Sequence, residues 1–412
     1  MMNTTEEIFS LGENKPTTDY QVVLDLGLQP WGNDFLTEDR IGKEQKYPLK
    51  LVYCNQSELL QLSYFVPKEV MFSEHTYLSG MTESLANHFL SVAQENVDTL
   101  SLSPDDVILD IGGNDGTQLL QYRKLGFNNL INVESATNIC KFSEQSGVTT
   151  YNVFFNEDNV KRVIPKHSVK LVNASGVFFH LEELDSVVKG IDYILRDDGV
   201  FVVQFMYAGS MVDNGNFDTI YHEHLCYYTL NSITKLMKKY RFTMFDAQFV
   251  EIHSGTMIVR FRKDSCTKYQ TTQRCLTQIA SDKKYNLQVF TKLSRTIESK
   301  RDHLRQFLLQ LKAEGKTVYA YGAPVKGNTL LNYMRIDNTI IDKVVEVNPL
   351  KIGRYTPGTH IPVVNESTDD LPDYYLLLSH NFKEEIVNRN KDILDKGVKF
   401  IVPFPEIEVI GV

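Results

Sequence analysis

Cysteine is scarce and irregularly placed in this 412-residue chain. The five residues Cys54, Cys140, Cys226, Cys266 and Cys275 are odd in number and never form a Cys-x-x-Cys pair. That spacing argues against a disulfide framework and against a thiolate metal cluster, and predicts free thiols. No apolar run approaches the ~20 residues that cross a bilayer. The opening Met1-Met-Asn-Thr-Thr-Glu-Glu7 lacks the charged-then-apolar order of a signal peptide, so a cytoplasmic protein is expected. Blocks of basic charge are absent too, and a net charge of −9 repels a polyphosphate backbone. Nucleic acid and membrane are therefore poor partners, and a small molecule is favoured. What is present, 42% hydrophobic and 23% charged residues, is the make-up of a soluble globular chain long enough for two or three domains.

Three segments emerge along the chain. Residues 1–90 hold a polar start and short apolar runs such as Leu24-Asp-Leu-Gly-Leu-Gln-Pro30, which read as a small irregular N-terminal module. In residues 91–265 strands and helices alternate. Strand-like Val107–Ile111, Leu130–Val133, Val169–Asn173 and Gly199–Phe205 are interleaved with amphipathic stretches such as Leu181–Leu195, which implies a parallel sheet covered on both faces. Two β-rich runs, Phe242–Val250 and Thr256–Arg262, follow as an antiparallel hairpin at the sheet edge through His253-Ser-Gly255, with His253 expected to support the turn. That ending is typical of the Rossmann-like sheet of class I methyltransferases. Residues 266–412 begin with a long helical pattern over 284–313 and continue as a second α/β Rossmann-like domain. Its expected strands are Thr317–Gly322, Asp342–Val347, Tyr374–Leu378 and Lys399–Val402, with a helix from Lys326 to Met334.

The turn Leu109-Asp-Ile-Gly-Gly-Asn-Asp-Gly116 lies between the first strand and helix of the middle domain. Gly112, Gly113 and Gly116 let the backbone turn tightly and approach a ligand, with Asp110, Asn114 and Asp115 beside it. Dinucleotide sites share this pattern, but neighbouring carboxylates suit a pyrophosphate poorly and a sulfonium with an ammonium group well. Glu134, at the end of the next strand, is placed to accept both ribose hydroxyls, and Asn173 and Ala174 flank the same pocket. S-adenosylmethionine is the expected cofactor.

A second concentration of chemistry is Tyr221-His-Glu-His-Leu-Cys-Tyr-Tyr228, with two imidazoles, a carboxylate and three phenols within eight residues. Histidine titrates near neutrality unaided, so this stretch can move protons. A third is Gly322-Ala-Pro-Val-Lys-Gly-Asn-Thr329, small residues with a lysine between strand and helix, open to a phosphate-binding reading or to that of a tight turn. Asn348-Pro-Leu-Lys-Ile-Gly353 is a weaker candidate of the same kind.

These motifs, with Val177-Phe-Phe-His-Leu181, occur in an order that resembles the C-methyltransferases acting on nucleotide-linked 4-keto deoxysugars. The resemblance runs from about Val22 to Pro403. It implies a carbon methylation, at carbon 3 of a nucleoside-diphosphate 4-keto-6-deoxysugar, with a C-terminal domain that closes over the substrate. Gly322, Lys326, Gly327, Asn328, Thr329, Asn348 and Lys351 are then expected at the substrate, with His222. Carbon becomes nucleophilic only when a proton leaves it, which requires a base and a partner for the enolate oxygen. His224 suits the base, Glu223 its orienting charge, and Tyr221 and Tyr77 the oxyanion, while His180 faces the same region in the resembling enzymes. That family carries an N-terminal zinc module with two Cys-x-x-Cys pairs. Here the second pair reads Cys54-Asn-Gln-Ser57 and the first is missing, so no metal is expected. O- or N-methylation of a small sugar-like acceptor, a non-catalytic sugar-nucleotide-binding homologue and a dehydrogenase are the alternatives. The assembly is expected to be a monomer or dimer.

Overall fold

The computed structural model describes residues 6–72, 78–81, 83–215, 217–252, 255–367 and 369–411. Tyr77 and His253 lie outside these. A hairpin of β1 (Ile8–Ser10) and β2 (Lys15–Thr17) precedes three antiparallel strands, β3 (Tyr20–Pro30), β4 (Lys46–Cys54) and β5 (Leu59–Leu62). The N-terminal module is thus built on a small antiparallel sheet with irregular pairing. Register shifts between Val22 and Leu24 and between Asp25 and Leu28 break the two-residue alternation that would have revealed the long strand β3.

The middle of the chain supplies β6 (Ile108–Ile111), β7 (Leu130–Glu134), β8 (Thr149–Asn152), β9 (Val169–Ser175) and β10 (Leu195–Met206). The two-residue β11 (Cys226–Tyr227) leaves this sheet and pairs with β5 of the N-terminal sheet. β12 (Phe242–Val250) and β13 (Thr256–Lys263) form the expected hairpin, and β13 is inserted antiparallel between β12 and β10. The order is β12-β13-β10-β9-β6-β7-β8, with β6 to β10 mutually parallel. Where a helix was expected over 181–195, a short 3-10 turn (Phe178–His180) comes first and the helix spans Leu184–Ile194.

The long helix Leu287–Ala313 leads to β14 (Val318–Tyr321), β15 (Val344–Glu346), β16 (Val363–Asn365), β17 (Tyr374–Leu377), β18 (Lys399–Val402) and β19 (Glu408–Ile410). Five strands are parallel and β19 closes the edge antiparallel, in the order β16-β15-β14-β17-β18-β19. Two parallel sheets with intervening helices make both larger domains α/β. One apolar core runs unbroken through all three parts, from Leu24 and Leu51 through Val172 and Phe205 to Leu330 and Ile401. Burial of that extent is the main force holding the parts together.

A carboxylate fixes the junction of the middle domain with its linker. Asp282 is buried and accepts from Leu230 N at 3.0 Å, Asn231 N at 2.9 Å and Tyr207 Oη at 2.5 Å, so it sits at the N-terminus of the helix Leu230–Lys238, where the backbone dipole favours an anion. Asp282→Ala is expected to lower unfolding free energy by roughly 3 kcal/mol, since charge-assisted bonds are lost and three donors are stranded. Urea unfolding measures it, and a loss below about 1 kcal/mol would show the contacts are idle.

Candidate active site

Parallel strands in register project neighbouring side chains to the same face, and β7, β6 and β9 align Asn132, Asp110 and Asn173 in one row near their carboxyl ends. All three are buried. The glycine loop folds over this row. Gly112 and Gly116 adopt φ of 61° and 83°, and a Cβ on Gly113 would stand 2.5 Å from Asn132 Oδ1. Asn132, which the sequence reading missed, accepts from Gly113 N and donates to Asn114 O and Ser143 Oγ, so it supports the loop from below. Glu134 accepts from Asn114 N at 3.0 Å and Ala136 N at 2.8 Å.

Burial pushes the Asp110 carboxyl well above the usual range, with Glu134 nearby adding to the effect, and burial raises Glu134 as well. Two such carboxyls favour hydroxyl donors and positive charge. Asn173 Nδ2 is buried with no hydrogen-bond partner among the described residues, and Ala174 is buried beside it. The donor set fits a nucleoside cofactor that carries a sulfonium and an ammonium. Asn114 Oδ1 accepts from Ser79 N and Asp115 accepts from Gly80 N and Thr117, so these two side chains hold the 79–80 segment against the loop.

The second cluster forms where the 3-10 turn after β9 meets the loop before β11. His224 Nδ1 lies 2.7 Å from Thr219 O. A carbonyl can only accept, so in the neutral ring Nδ1 carries the proton and Nε2 is the acceptor nitrogen. The rings of Tyr221, Phe179 and His180 stand 3.8, 4.7 and 5.1 Å from that of His224, centre to centre. His180 Nδ1 meets Glu223 O, which fixes its tautomer in the same way. His222, expected at the substrate, is instead turned into the N-terminal sheet against Tyr47, and burial lowers its imidazole to about 4. The cause is a turn, His224 N to Tyr221 O at 2.9 Å, which separates two histidines that an extended chain would place on one face.

In the C-terminal domain Gly322 adopts φ of 81°, and a Cβ there would meet Ser379 Oγ at 2.8 Å. Lys326 donates to Asn381 Oδ1 and lies 3.6 Å from Asp218 Oδ2, which also bonds His380 Nε2 at 2.6 Å. Burial alone would raise Asp218, but His380 and Lys326 outweigh it and hold the carboxyl down to about 2. Gly327, Asn328 and Thr329 are buried in the helix Val325–Met334, with Asn328 Nδ2 committed to Gly32 O at 2.7 Å, so they face the packing interior and not an open rim. Asn348 Oδ1 accepts from Leu350 N within its own loop, and Lys351 donates to Ala323 O at 2.7 Å. Asp218 and His380 are contacts across domains that no spacing in the sequence announces.

The strand order, the glycine loop and the strand-end acid define a class I methyltransferase, with S-adenosylmethionine as cofactor. Three family models match in succession, described as "Putative zinc binding domain" over residues 16–72, "Methyltransferase domain" over 85–246 and "C-methyltransferase C-terminal domain" over 251–405. C-methyltransferase NovU of Streptomyces niveus is 28% identical over 400 residues, spanning 95% of each chain. Together these matches mark the chain as an S-adenosylmethionine-dependent C-methyltransferase. Among solved structures, the PH0226 protein of Pyrococcus horikoshii OT3 is 12% identical with a TM-score of 0.37, covering 48% of this chain and 100% of its own. An S-adenosylmethionine-dependent methyltransferase of Clostridium acetobutylicum is 13% identical with a TM-score of 0.35, covering 43% and 92%.

The residues at the zinc-module position do not fit a structural zinc. Two matching turns, Ser10–Asn14 and Cys54–Glu58, face each other, and a Cβ on Gly12 would press on Ser57 at 2.7 Å. Their paired positions hold Ser10, Glu13, Cys54 and Ser57, one thiol where four ligands are needed. Burial pushes that thiol up to about 12, which disfavours the thiolate. Glu13 Oε1 accepts from Ser57 N at 3.1 Å and joins the turns directly. Among the described residues no group of three or more His, Cys, Asp or Glu side chains could hold a metal ion.

Two outcomes follow. Gly113→Ala is expected to weaken cofactor binding at least tenfold by calorimetry, because the new Cβ must displace Asn132 and the loop; unchanged affinity would move the cofactor elsewhere. Treatment with a chelator is expected to leave the thermal midpoint where it was, and a fall restored by added zinc would reveal ligands outside this pair of turns.

Proposed function

We propose that the enzyme methylates carbon 3 of a nucleoside-diphosphate 4-keto-6-deoxysugar through an enolate, with His224 as the base. The observation that carries this reading is the bond between His224 Nδ1 and Thr219 O, which makes Nε2 the proton-accepting nitrogen of the neutral ring, in an imidazole packed against the rings of Tyr221 and His180. A ketone at carbon 4 makes the neighbouring hydrogen acidic. His224 Nε2 takes that proton, the electron pair moves onto the carbonyl oxygen, and the Tyr221 hydroxyl donates to it. When bound, S-adenosylmethionine supplies an electrophilic methyl on a sulfonium. The tautomer of His180 is set by Glu223 O, which makes its Nε2 the acceptor nitrogen of the neutral ring. Gly322 and Asn348, on the loops after β14 and β15, with the ammonium groups of Lys326 in the helix Val325–Met334 and of Lys351, are the groups that would meet the diphosphate.

His224→Asn is expected to keep cofactor binding and to lower turnover by about 10²–10⁴-fold, the usual contribution of a positioned base. In heavy water without cofactor, the native enzyme is expected to exchange the carbon 3 hydrogen of a 4-keto substrate, and the variant not to. Methylated product with no exchange would point to a hydroxyl or amine acceptor. Exchange undiminished in the variant would remove His224 from the step.

A further inference from the structure

The carboxyl of Glu223 receives its donors from outside the domain that carries it. Trp31 Nε1 donates to Glu223 Oε1 at 2.8 Å and Asn33 Nδ2 donates to the same oxygen at 2.6 Å. Both come from the turn after β3, in the N-terminal sheet. That turn is itself clamped from the third domain. Asn328 Nδ2 holds Gly32 O, and a Cβ on Gly32 would stand 2.7 Å from Val325 Cγ2, so only glycine lets the turn seat against the start of the helix Val325–Met334. Phe35, two residues further, lies 4.9 Å under the Lys351 ammonium. A buried carboxyl with two donors fixed on one oxygen has its orientation set, and its second oxygen is directed by theirs.

From this we propose that Trp31 and Asn33 are positioning residues for the methyl transfer, acting through Glu223 to hold the His-Glu-His loop in register. The inference rests on the reading of that loop as the proton-transfer site. It gives the N-terminal module a task in the reaction that needs no metal, which accounts for a retained sheet whose ligand positions are Ser10, Glu13, Cys54 and Ser57. Neutral donors favour the ionised carboxyl over the neutral one. Burial raises Glu223, and Trp31, Asn33 and the Lys351 charge oppose that rise. The other titratable neighbours among the described residues are His222 and His224 in the chain itself and His180, whose ring meets the Glu223 carbonyl.

Trp31 is the one tryptophan in the chain, so its fluorescence reports this contact without any assay of turnover. The full-length protein, free of cofactor, is titrated with acid and followed by tryptophan emission, alongside Glu223→Gln and Asn33→Ala. The expected result is a transition in the native protein that is absent in E223Q and displaced upward by about one pH unit in N33A, since one charge-assisted donor is gone. A transition that persists in E223Q, or that does not move in N33A, overturns the contact.

The catalytic arm uses Trp31→Phe and Asn33→Ala with cofactor and a 4-keto nucleotide sugar. Here kcat is expected to fall by roughly tenfold or more at little change in KM, with the acid limb of kcat/KM moved to higher pH. A lower thermal midpoint with an unmoved pH profile would reduce the turn to a structural prop and overturn the proposal. Should no methylation occur with any keto sugar, the substrate reading fails while the fluorescence titration still decides the contact. Calorimetric cofactor binding confirms that each variant is folded.

Discussion

The peptide of Leu225 carries the constraint on which the candidate site depends. Its N–H donates to Phe179 O at 2.8 Å, in the middle domain, and its carbonyl accepts from Leu62 N at 2.9 Å, in the N-terminal sheet. A main chain bonded on both sides cannot slide, and the three residues before it are distributed by the turn at 221–224. His222 enters the N-terminal sheet, Glu223 meets the Trp31–Asn33 turn, and His224 stays with Tyr221, Phe179 and His180. Each side chain thus depends on a different neighbour. A buried carboxyl without donors costs several kcal/mol, so separating the N-terminal sheet from the middle domain would strand Glu223.

Polar bonds of the same kind tie the C-terminal domain in. Leu36 and Tyr355 exchange backbone bonds, Glu44 accepts from His360 at 2.7 Å, and Arg354 reaches Phe35 O. On the opposite side Asp218, fully buried, is shared by His380 and Lys326. Breaking a buried pair costs far more than forming it gains, so such contacts fix the relative placement of domains whose packing energy comes from the continuous apolar core. The candidate site lies where these junctions converge, and its geometry follows from the whole chain more than from any one sheet.

How much of this was legible in sequence divides along the distance between partners. The glycine loop could be read because Gly112 and Gly116 take positive φ, a demand that leaves a mark on residue type. The central parallel strands could be read because both faces are covered and their runs are mostly apolar, whereas the polar edge strand Thr149–Asn152 could not. The strands Val363–Asn365 and Glu408–Ile410 could not, being short and largely exposed, with no apolar run to mark them. The N-terminal sheet was hidden by its bulges, and the split between His222 and His224 by a turn that composition does not signal. Trp31, Asn33 and Glu223 are separated by about 190 residues, and nothing local in either segment announces the other.

The two α/β domains repeat one device with opposite electrostatics. At the end of β7 Glu134 accepts from two backbone amides beside a glycine turn, and at the end of β15 Glu346 accepts from Ala323 N at 2.7 Å, Val347 N at 2.8 Å and Asn348 N at 3.0 Å. In the first domain the neighbour is a second buried carboxyl, Asp110, and an amide donor without a partner among the described residues, Asn173. In the other the neighbour is an ammonium, Lys351, bonded to Ala323 O, with Lys326 on the adjoining helix. Acid-rich surroundings favour a cationic ligand and lysine-rich ones an anionic ligand, by the same Coulombic argument with the sign reversed. A positive sulfonium donor finds its matching half in the first domain, and the diphosphate acceptor we propose would find its own in the other.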